Sequence, residues 1–356
     1  MILYMTKKVQ DHFNIKDIDA HDALDHESAW HVTYETYNRR KLFTFRHLDT
    51  NFTLLMQGLR PKDIAQLETI FKSGLKETLL FAGFLPDGVD AYLKTLNKMT
   101  FLKTNNRQVI ADTTKKKHDL YLYFERLDLT KTHQTIINHR INNQRSRGTK
   151  TPFDCLQESL KQPHKAVRSY KAFELNITID AETQKVWRRV IIPAQHTLDD
   201  VHKIMQKLFG WTDSHLHEFV NLENNCTYGI TEWFVDYPEL KDSRTVSIED
   251  AFKGFPRWQY IYDLGDYWVH DIFILHAVNS PKPILPLCTG ATGENIPEDV
   301  GGVGGYQDYL AAIHDKTHED HAAYQDWLST SHYTSFDMER VNAALASNLP
   351  LSFFYR

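Results

Sequence analysis

Alternating apolar and polar positions mark two pairs of β-strands in the second half of the chain. The first pair covers residues 170–180 and 186–192, which are separated by a short polar stretch. The second pair covers residues 257–263 and 268–275, which flank Leu264-Gly265-Asp266. A period of two residues is that of a strand with one buried face, and a short polar or glycine-containing interval is that of a turn. Both pairs are therefore predicted to be hairpins.

Apolar residues at intervals of three and four predict helices elsewhere. One covers residues 62–82, with Pro61 before it and Gly83 after it. Another follows Thr197, whose hydroxyl is predicted to form a capping box with Asp200. Further predicted helices cover residues 132–142, 306–314, 319–328 and 337–346, and further strands cover residues 1–5, 31–37, 41–46, 51–56 and 217–222.

These elements predict a two-domain α+β protein, and 356 residues suit two domains at roughly 100–200 residues each. We expect a small α+β domain over residues 1–130, a basic linker or helical connector over residues 131–168, and a second α+β domain over residues 169–356. In the second domain the sheet is predicted to be mostly antiparallel, with its helices packed on one face. Its tryptophans are predicted to be largely buried, namely Trp187, Trp211, Trp258 and Trp268.

Composition narrows the class of protein. Apolar residues make up 42% of the chain and charged residues 24%, as in packed globular proteins. No apolar run approaches the roughly 18 residues of a membrane-spanning helix, and the opening MILYMTKKV lacks the features of a signal peptide. The three cysteines form no CxxC pair, which argues against a disulfide framework or a structural zinc site and predicts a reducing, cytoplasmic location.

Charge is distributed unevenly along the chain. Lys and Arg number 13 against 13 Asp and Glu in residues 1–102, 15 against 6 in residues 103–171, and 13 against 27 in residues 172–356. A basic surface attracts phosphate backbones and an acidic one repels them, so a nucleic-acid or protein partner is expected in the basic segment, residues 131–171. The alternative is a solvated linker. The candidate nucleic-acid contacts are Arg140, Arg145, Arg147 and Lys150.

Six motifs in order make the second half similar to the plasmid pRiA4b ORF-3-like family, which also occurs in mobile elements. They are VWRRVIIP, TLDDVHKIMQKLFGW, HLHEF, YIYDLGDYWVHDI, PEDVGGVGGY and WLSTSHYTSFDMERVNAAL. The resemblance covers about residues 168–350 and implies a fold but no established reaction. The family usually has a cysteine where this chain has Asn295, while the upstream Cys288 is kept. The first 155 residues resemble a family known only as a domain of unknown function, through MILYMTKK, NRRKLFTF and FLKTNNRQVIAD.

Polar residues within these motifs suggest a metal or acid/base site. On a strand, His215, His217 and Phe219 would share a face, and two imidazoles two residues apart can bind one metal ion. Asp266 and His270 could form a carboxylate–imidazole pair. The alternatives are a core histidine beside a solvated one, and aspartates that accept hydrogen bonds from the amides of their own turn.

The glycine-rich stretch from Thr289 to Gly305 allows close approach of the backbone to a ligand. It has no GxxxxGK[ST] motif and no lysine, so it is not predicted to bind phosphate. Glu298 and Asp299 could cap a helix, meet Arg188 and Arg189, or line a site. The predicted binding residues here and on the adjacent strand are Trp268, Gly301, Gly302 and Tyr306.

Two functions fit these observations. The preferred one is a non-catalytic binding or interaction module with an acidic C-terminal domain and a basic connector. The alternative is a metal-dependent hydrolase in which a divalent ion, the one cofactor suggested, activates water. Its candidate catalytic residues are His217, Glu218, Asp266, His270, Glu298 and Asp299, and its candidate metal ligands are His215, His217 and His270.

Overall fold

The computed structural model describes residues 1–16, 18, 29–96, 98–104, 120–145, 150–159, 168–182 and 184–347. Between Ser169 and Tyr170 the chain divides into two units, each with its own hydrophobic core. Within each unit helices pack on a sheet, so the protein is a two-domain α+β protein. No helix in the described ranges combines the length and apolar character that a membrane span requires.

The sheet of the first domain is mixed and has the strand order β4-β3-β2-β1-β5. β1 runs parallel to both of its neighbours, and the other pairs are antiparallel. The strands are β1 (Ile2–Met5), β2 (Ala29–Tyr37), β3 (Arg40–His47), β4 (Thr53–Gln57) and β5 (Thr100–Lys103). The helices are α1 (Lys7–Phe13), α2 (Leu67–Phe81), α3 (Pro86–Thr95), α4 (Thr135–Asn142) and α5 (Pro152–Ser159).

The long helix predicted over residues 62–82 is two elements. Pro61–Gln66 form a 3-10 turn, in which the Asp63 carboxylate accepts a hydrogen bond from the Arg60 amide at 2.7 Å, and α2 follows. The predicted stop is present, because Gly83 adopts a φ of 87° that suits glycine. α2 packs Phe71 and Leu75 into the core of this domain.

Helix α4 covers the outer edge of β4 through two buried asparagines. Asn138 accepts a hydrogen bond from the Leu55 amide at 2.7 Å, and Asn142 accepts one from the Thr53 amide at the same distance. Asn142 also donates to the Thr53 carbonyl at 2.6 Å. Side-chain amides thus pair with backbone groups that an edge strand otherwise leaves open. Residues 135–142, part of the predicted connector, are therefore packed within the first domain.

The sheet of the second domain has the order β10-β9-β8-β11-β12-β6-β7-β13. Every pair is antiparallel except β9 with β10, and both predicted hairpins are present as β6–β7 and β11–β12. The strands are β6 (Tyr170–Asp180), β7 (Lys185–Pro193), β8 (His217–Asn221), β9 (Thr227–Gly229), β10 (Lys241–Asp242), β11 (Arg257–Tyr262), β12 (Trp268–Ser280) and β13 (Leu287–Thr292).

Helices of this domain pack on one face of the sheet. They are α6 (Leu198–Phe209), α7 (Ile248–Ala251), α8 (Gly302–His314), α9 (His321–Thr330) and α10 (Met338–Ser347). The predicted capping box is present at the start of α6, since Thr197 accepts from the Asp200 amide and the Asp200 carboxylate accepts from the Thr197 amide. Trp211, Trp258 and Trp268 are buried in the core, whereas Trp187 is only half-buried.

Helix α8 begins four residues earlier than predicted, inside the glycine-rich stretch. The Gly305 amide donates to the Gly301 carbonyl at 3.1 Å, so glycines form the first turn. A Cβ at Gly305 would lie 2.0 Å from the Val300 carbonyl oxygen, which makes glycine necessary there. The low helix propensity of glycine is the reason that the pattern predicts a loop.

Candidate functional site

Sheet register brings three segments of the second domain to one end of its sheet. Tyr262, the last residue of β11, pairs with His217 at the start of β8 and with Trp268 at the start of β12. The segment before β8, residues 212–216, therefore lies beside the turn between β11 and β12, residues 263–267. The Asp263 amide donates to the Leu216 carbonyl at 2.9 Å and joins the two. Residues 297–301, which precede α8, supply the third segment.

His215, Asp263 and Asp299 form the centre of this site. The His215 Nε2 atom lies 3.0 Å from a carboxylate oxygen of Asp299, and Nδ1 lies 3.6 Å from one of Asp263. One ligand atom from each residue lies within 4.8 Å of the other two. Asp299 is 68% exposed and His215 27%, so the cluster opens to solvent.

Two further carboxylates of the site hold its loops together. Glu298 accepts hydrogen bonds from the Thr212 amide at 3.1 Å, from the Thr212 hydroxyl at 2.5 Å, and from the Tyr262 hydroxyl. Asp266 accepts one from the Gly301 amide at 3.0 Å. These bonds join residues 297–301 to the other two segments. Glu298 and Asp266 therefore position the loops that carry His215, Asp263 and Asp299.

The backbone around the cluster is strained, and the side chains of the cluster carry negative charge. Asp213, Asp263, Tyr267 and Asp299 have φ angles of 57–62°, a left-handed conformation that costs roughly 1–2 kcal/mol in a residue other than glycine. Such conformations persist where surrounding contacts enforce them, and they concentrate at functional sites. Within the described part of the chain, no lysine or arginine forms an ion pair with the site's carboxylates.

His217 lies in the core and is not one of the side chains that meet at His215, so the structure does not join the two histidines as predicted. β8 begins at His217, and His215 lies in the preceding loop. The His217 ring is 1% exposed and stacks on His202 with centroids 3.5 Å apart. Burial holds the pKa of His217 well below its usual value. Glu218 points to the opposite face, where burial raises the pKa of its carboxyl group.

Asp266 and His270 do not form a pair. The Nδ1 atom of His270 lies 3.1 Å from the Tyr260 carbonyl and 3.0 Å from the Trp268 carbonyl. His270 is completely buried, and burial lowers its pKa from the usual 6.5 to about 3. The turn instead has the alternative arrangement, in which an aspartate accepts hydrogen bonds from amides of its own turn: Asp263 accepts from the Gly265 and Asp266 amides.

The predicted binding residues divide between the core and the site. Trp268 and Tyr306 are buried in the domain core, where the Tyr306 hydroxyl hydrogen-bonds with Gln184. Gly301 and Gly302 lie against the β11–β12 turn. A Cβ at Gly302 would lie 2.7 Å from the Asp266 carbonyl oxygen, so the glycine allows this close approach of two loops.

Asn295 holds a buried arginine. Its side-chain oxygen accepts a hydrogen bond from Arg188 at 3.1 Å, and its amide donates to the Thr334 carbonyl at 2.9 Å. Arg188 also donates to the Leu208 and Thr292 carbonyls, and burial lowers its pKa to about 10. Asn295 therefore has a structural role in this chain.

The candidate nucleic-acid residues are not equivalent. Arg140 is buried in the first domain, whereas Arg145 and Lys150 are exposed. Lys150 also pairs with Glu158 at 2.7 Å. Arg147 lies outside the described residues. Arg140 is buried because α4 packs into the first domain, and charge counting cannot detect such packing.

The cluster has the chemistry of a transition-metal site. One imidazole nitrogen and two carboxylate oxygens suit zinc, manganese or iron(II). An ion at roughly 2.0–2.3 Å from each donor needs the donors within about 4 Å of one another. Around a tetrahedral ion the donors lie about 3.3–3.8 Å apart, so a closure of roughly 1–1.5 Å would complete the site. Sequence reasoning omitted Asp263 from the ligands, although its position directly after β11 is a usable signal.

Comparison with known proteins gives the family. The plasmid pRiA4b ORF-3-like protein family matches residues 171–344, and a domain of unknown function, DUF6933, matches residues 2–154. The uncharacterized protein y4hQ of Sinorhizobium fredii (strain NBRC 101917 / NGR234) is 37% identical over 163 residues, which are 45% of this chain and 82% of that protein. A crystal structure of a protein of unknown function, MM3350 from Methanosarcina mazei Go1, is 29% identical with a TM-score of 0.42, covering 48% of this chain and 97% of that one.

Both resemblances inferred from the motifs are confirmed, each with the expected position in the chain. The curated relative is described as uncharacterized and the first-domain family as a domain of unknown function, so the comparisons identify the family and leave the chemistry to the site itself. Through its second domain, the chain belongs to the plasmid pRiA4b ORF-3-like protein family.

Proposed function

We propose that the C-terminal domain is a binding module that captures a divalent transition-metal ion at His215, Asp263 and Asp299. The observation that carries this proposal is the meeting of three side chains from three separate segments, with ligand atoms within 4.8 Å of one another. A mixed nitrogen and oxygen donor set is typical of zinc, manganese and iron(II), whereas magnesium and calcium prefer oxygen alone.

The charge of the domain supports cation capture. Residues 172–356 carry 13 Lys and Arg against 27 Asp and Glu. Asp266 and Glu298 lie beside the cluster and add negative charge to that of Asp263 and Asp299. A concentration of one charge in a cleft raises the local concentration of ions of opposite sign. The site therefore favours a cation over a phosphate or a carboxylate.

Binding is favoured over turnover because the predicted acid/base residues serve other purposes. His217 and His270 are buried and neutral, so neither offers a proton to a substrate at the surface. Glu298 and Asp266 accept hydrogen bonds that hold the loops. Of the predicted catalytic residues, Asp299 is a proposed metal ligand, whereas the two histidines lie in the core and Glu298 and Asp266 hold the loops.

A metal-dependent hydrolase is the second candidate, favoured by the number of ligands. Three protein ligands leave positions on a bound ion for water, and exposed Asp299 places these positions at the surface. Zinc- or manganese-loaded protein would hydrolyse an activated ester or phosphodiester, and Asp263→Asn would abolish the activity. Equal rates for the two proteins would remove this candidate.

Isothermal titration of tag-free protein with Zn²⁺ and Mn²⁺ tests the metal site. We expect one equivalent to bind, with affinity at least about tenfold weaker in His215→Gln, Asp263→Asn and Asp299→Asn. The matched control is His276→Gln, since His276 lies 3.5 Å from Glu174 elsewhere on this domain. The proposal fails if no stoichiometric binding occurs, or if the control loses as much affinity as the site variants.

A partner at the basic segment is a separate proposal, supported by the charge of residues 103–171 and by exposed Arg145 and Lys150. Binding to a DNA duplex would support this proposal if it weakens with added salt and if Arg145→Ala and Lys150→Ala both reduce it.

An association with mobile elements is supported by the plasmid in the family's name, and a cytoplasmic location by the three free cysteines.

A further inference from the structure

Four residues of the second domain form a closed ring of hydrogen bonds, which passes through both the backbone amide and the carboxylate of Asp213. The Asp213 amide donates to the side-chain oxygen of Gln206 at 2.8 Å, and the Gln206 amide nitrogen lies 3.1 Å from the Tyr260 hydroxyl. That hydroxyl lies 2.8 Å from Nδ1 of His202, and Nε2 of His202 lies 2.6 Å from the Asp213 carboxylate. The ring therefore begins and ends at Asp213.

Chemistry sets the direction of three bonds in this ring. A carboxylate only accepts, so Nε2 of His202 carries the proton and donates to Asp213. The Gln206 amide nitrogen donates to the Tyr260 hydroxyl, whose oxygen lies 2.8 Å from Nδ1 of His202. Burial raises the pKa of Tyr260 well above its usual value, so the hydroxyl keeps its proton. A fully satisfied network of this kind specifies a single arrangement of its members.

The ring extends from the core to a single residue of a surface loop. His202 and Gln206 lie one turn apart on α6, and Tyr260 lies in the centre of the sheet on β11. All three are buried, and the ring of His217 packs flat against that of His202. Asp213 is different, because its side chain is 46% exposed and its φ is 62°.

Asp213 is held at both its backbone and its side chain, two residues before the proposed ligand His215. Its neighbours are also fixed, Thr212 by Glu298 and the Ser214 amide by the Tyr262 hydroxyl at 3.1 Å. The ring holds Asp213 in a left-handed turn, and the chain runs from that turn into His215. Tyr260 is too deeply buried to touch a bound molecule, so its contribution reaches the site through Asp213.

We propose that Asp213, His202, Gln206 and Tyr260 are positioning residues that hold His215 in place for the metal ion, an inference that rests on the proposed metal site. The ring fixes the loop before an ion arrives, so little ordering of the chain is needed on binding. Groups that orient metal ligands without touching the ion typically contribute 10–100-fold to affinity. In this ring three buried polar residues hold one surface residue, Asp213.

Binding of Co²⁺, followed by calorimetry and by the visible absorption of the bound ion, tests the assignment. Tyr260→Phe removes the hydroxyl that joins two bonds of the ring, and we expect at least about tenfold weaker binding and an altered spectrum. Asp213→Gly removes the carboxylate but accepts the positive φ, and should have the same effect. Asp213→Asn keeps an oxygen that accepts from His202 and tolerates this φ, so its affinity should stay within about threefold of wild type.

The control is Asn138→Ala, which removes buried hydrogen bonds in the first domain and should leave Co²⁺ binding unchanged. Wild-type affinity and spectrum in Tyr260→Phe and Asp213→Gly would overturn the positioning role while leaving the metal site intact. Absence of Co²⁺ binding by the wild type would overturn the proposed function and this inference with it. If Tyr260→Phe fails to fold, the comparison of Asp213→Gly with Asp213→Asn decides, because Asp213 lies at the surface.

Discussion

Three histidines near the candidate site illustrate how environment decides what one residue type can do. His215 lies in a loop between two carboxylates and is partly exposed. His217 and His270 lie on strands and are buried, and burial lowers the pKa of both. Removing a charged imidazole from water is unfavourable, so the buried rings stay neutral. His215 is the histidine of these three that can reach an ion from solvent.

Burial of His270 makes the stability of the second domain sensitive to acid. Its pKa is about 3 when folded and 6.5 is the usual value, so between these limits the unfolded chain binds a proton that the folded chain does not. The contribution of neutral His270 to the free energy of unfolding is therefore fully present above about pH 6.5 and is lost progressively as the pH is lowered. At pH 5.5 the loss from this residue is about 1.4 kcal/mol.

Urea unfolding at pH 7.5 and pH 5.5 checks this prediction for wild type and His270→Gln. Tryptophan fluorescence reports mainly the second domain, since six of the seven tryptophans follow residue 170. The free energy of unfolding should fall by about 1 kcal/mol more in wild type than in the variant. An equal fall in both proteins would contradict the assignment of this pH dependence to His270.

For single residues, the sequence identifies motifs whose side chains meet in the structure but not the role of each atom. His215 and Asp299 are recognisable as polar residues in shared motifs, and both are in the cluster. Glu298 has the same chemistry as Asp299, yet its oxygens accept bonds from Thr212 and Tyr262. These partners are 36 or more positions away along the chain. Spacing within a motif cannot show that a carboxylate is already engaged.

Among the elements, the first turn of α8 links the fold to the site, because residues 297–301 lead directly into it. Gly304 and Gly305 are adjacent in this turn but differ in their surroundings. A Cβ at Gly304 would meet nothing within 4 Å, whereas one at Gly305 would lie 2.0 Å from the Val300 carbonyl oxygen. Val300 directly follows Asp299, so movement there would displace a proposed ligand.

Gly304→Ala and Gly305→Ala should therefore have opposite effects. The first should stabilise the domain by about 0.5–1 kcal/mol, since alanine favours a helix over glycine. The second should destabilise it and weaken metal binding. Thermal unfolding and metal titration of the two variants measure both effects, and the pair acts as its own control. Similar behaviour of the two variants would contradict the close contact with Val300.

Elements with strong local signals are predictable from the sequence, and α6 is the best example. Its capping box at Thr197 and its terminal Gly210 are present as predicted. The start of α8 is not predictable in this way, because tertiary contacts override the poor helix propensity of its glycines. The same holds for Pro61–Gln66, where a 3-10 turn replaces the predicted first turn of a longer helix.

For the whole molecule, the division into two units predicts how a metal ion affects stability. An ion that binds only the folded second domain raises its free energy of unfolding, by about 2.7 kcal/mol at 100 times the dissociation constant. The three proposed ligands all belong to the second domain, so the first domain should not respond. Two unfolding transitions are therefore expected in calorimetry, and saturating Zn²⁺ or Mn²⁺ should shift one of them.

The shifted transition should coincide with the change in tryptophan fluorescence, which reports the second domain. His215→Gln should lose the shift while keeping both transitions. Equal shifts of the two transitions would contradict a site confined to the second domain. The site's three segments, residues 212–216, 263–267 and 297–301, meet because of the order of the strands in the sheet. Local sequence patterns predict that β11 and β12 form a hairpin, but they do not predict that β8 pairs with β11.

The asparagines of α4 have a consequence for self-association. An uncovered strand edge is a template for adding a strand from another molecule, and such addition leads to domain swapping or fibrils. Asn138 and Asn142 use side-chain amides to block that template on β4. Replacing both with alanine should leave the sheet able to recruit a second copy, and sedimentation velocity should then detect concentration-dependent oligomers that the wild-type chain does not form.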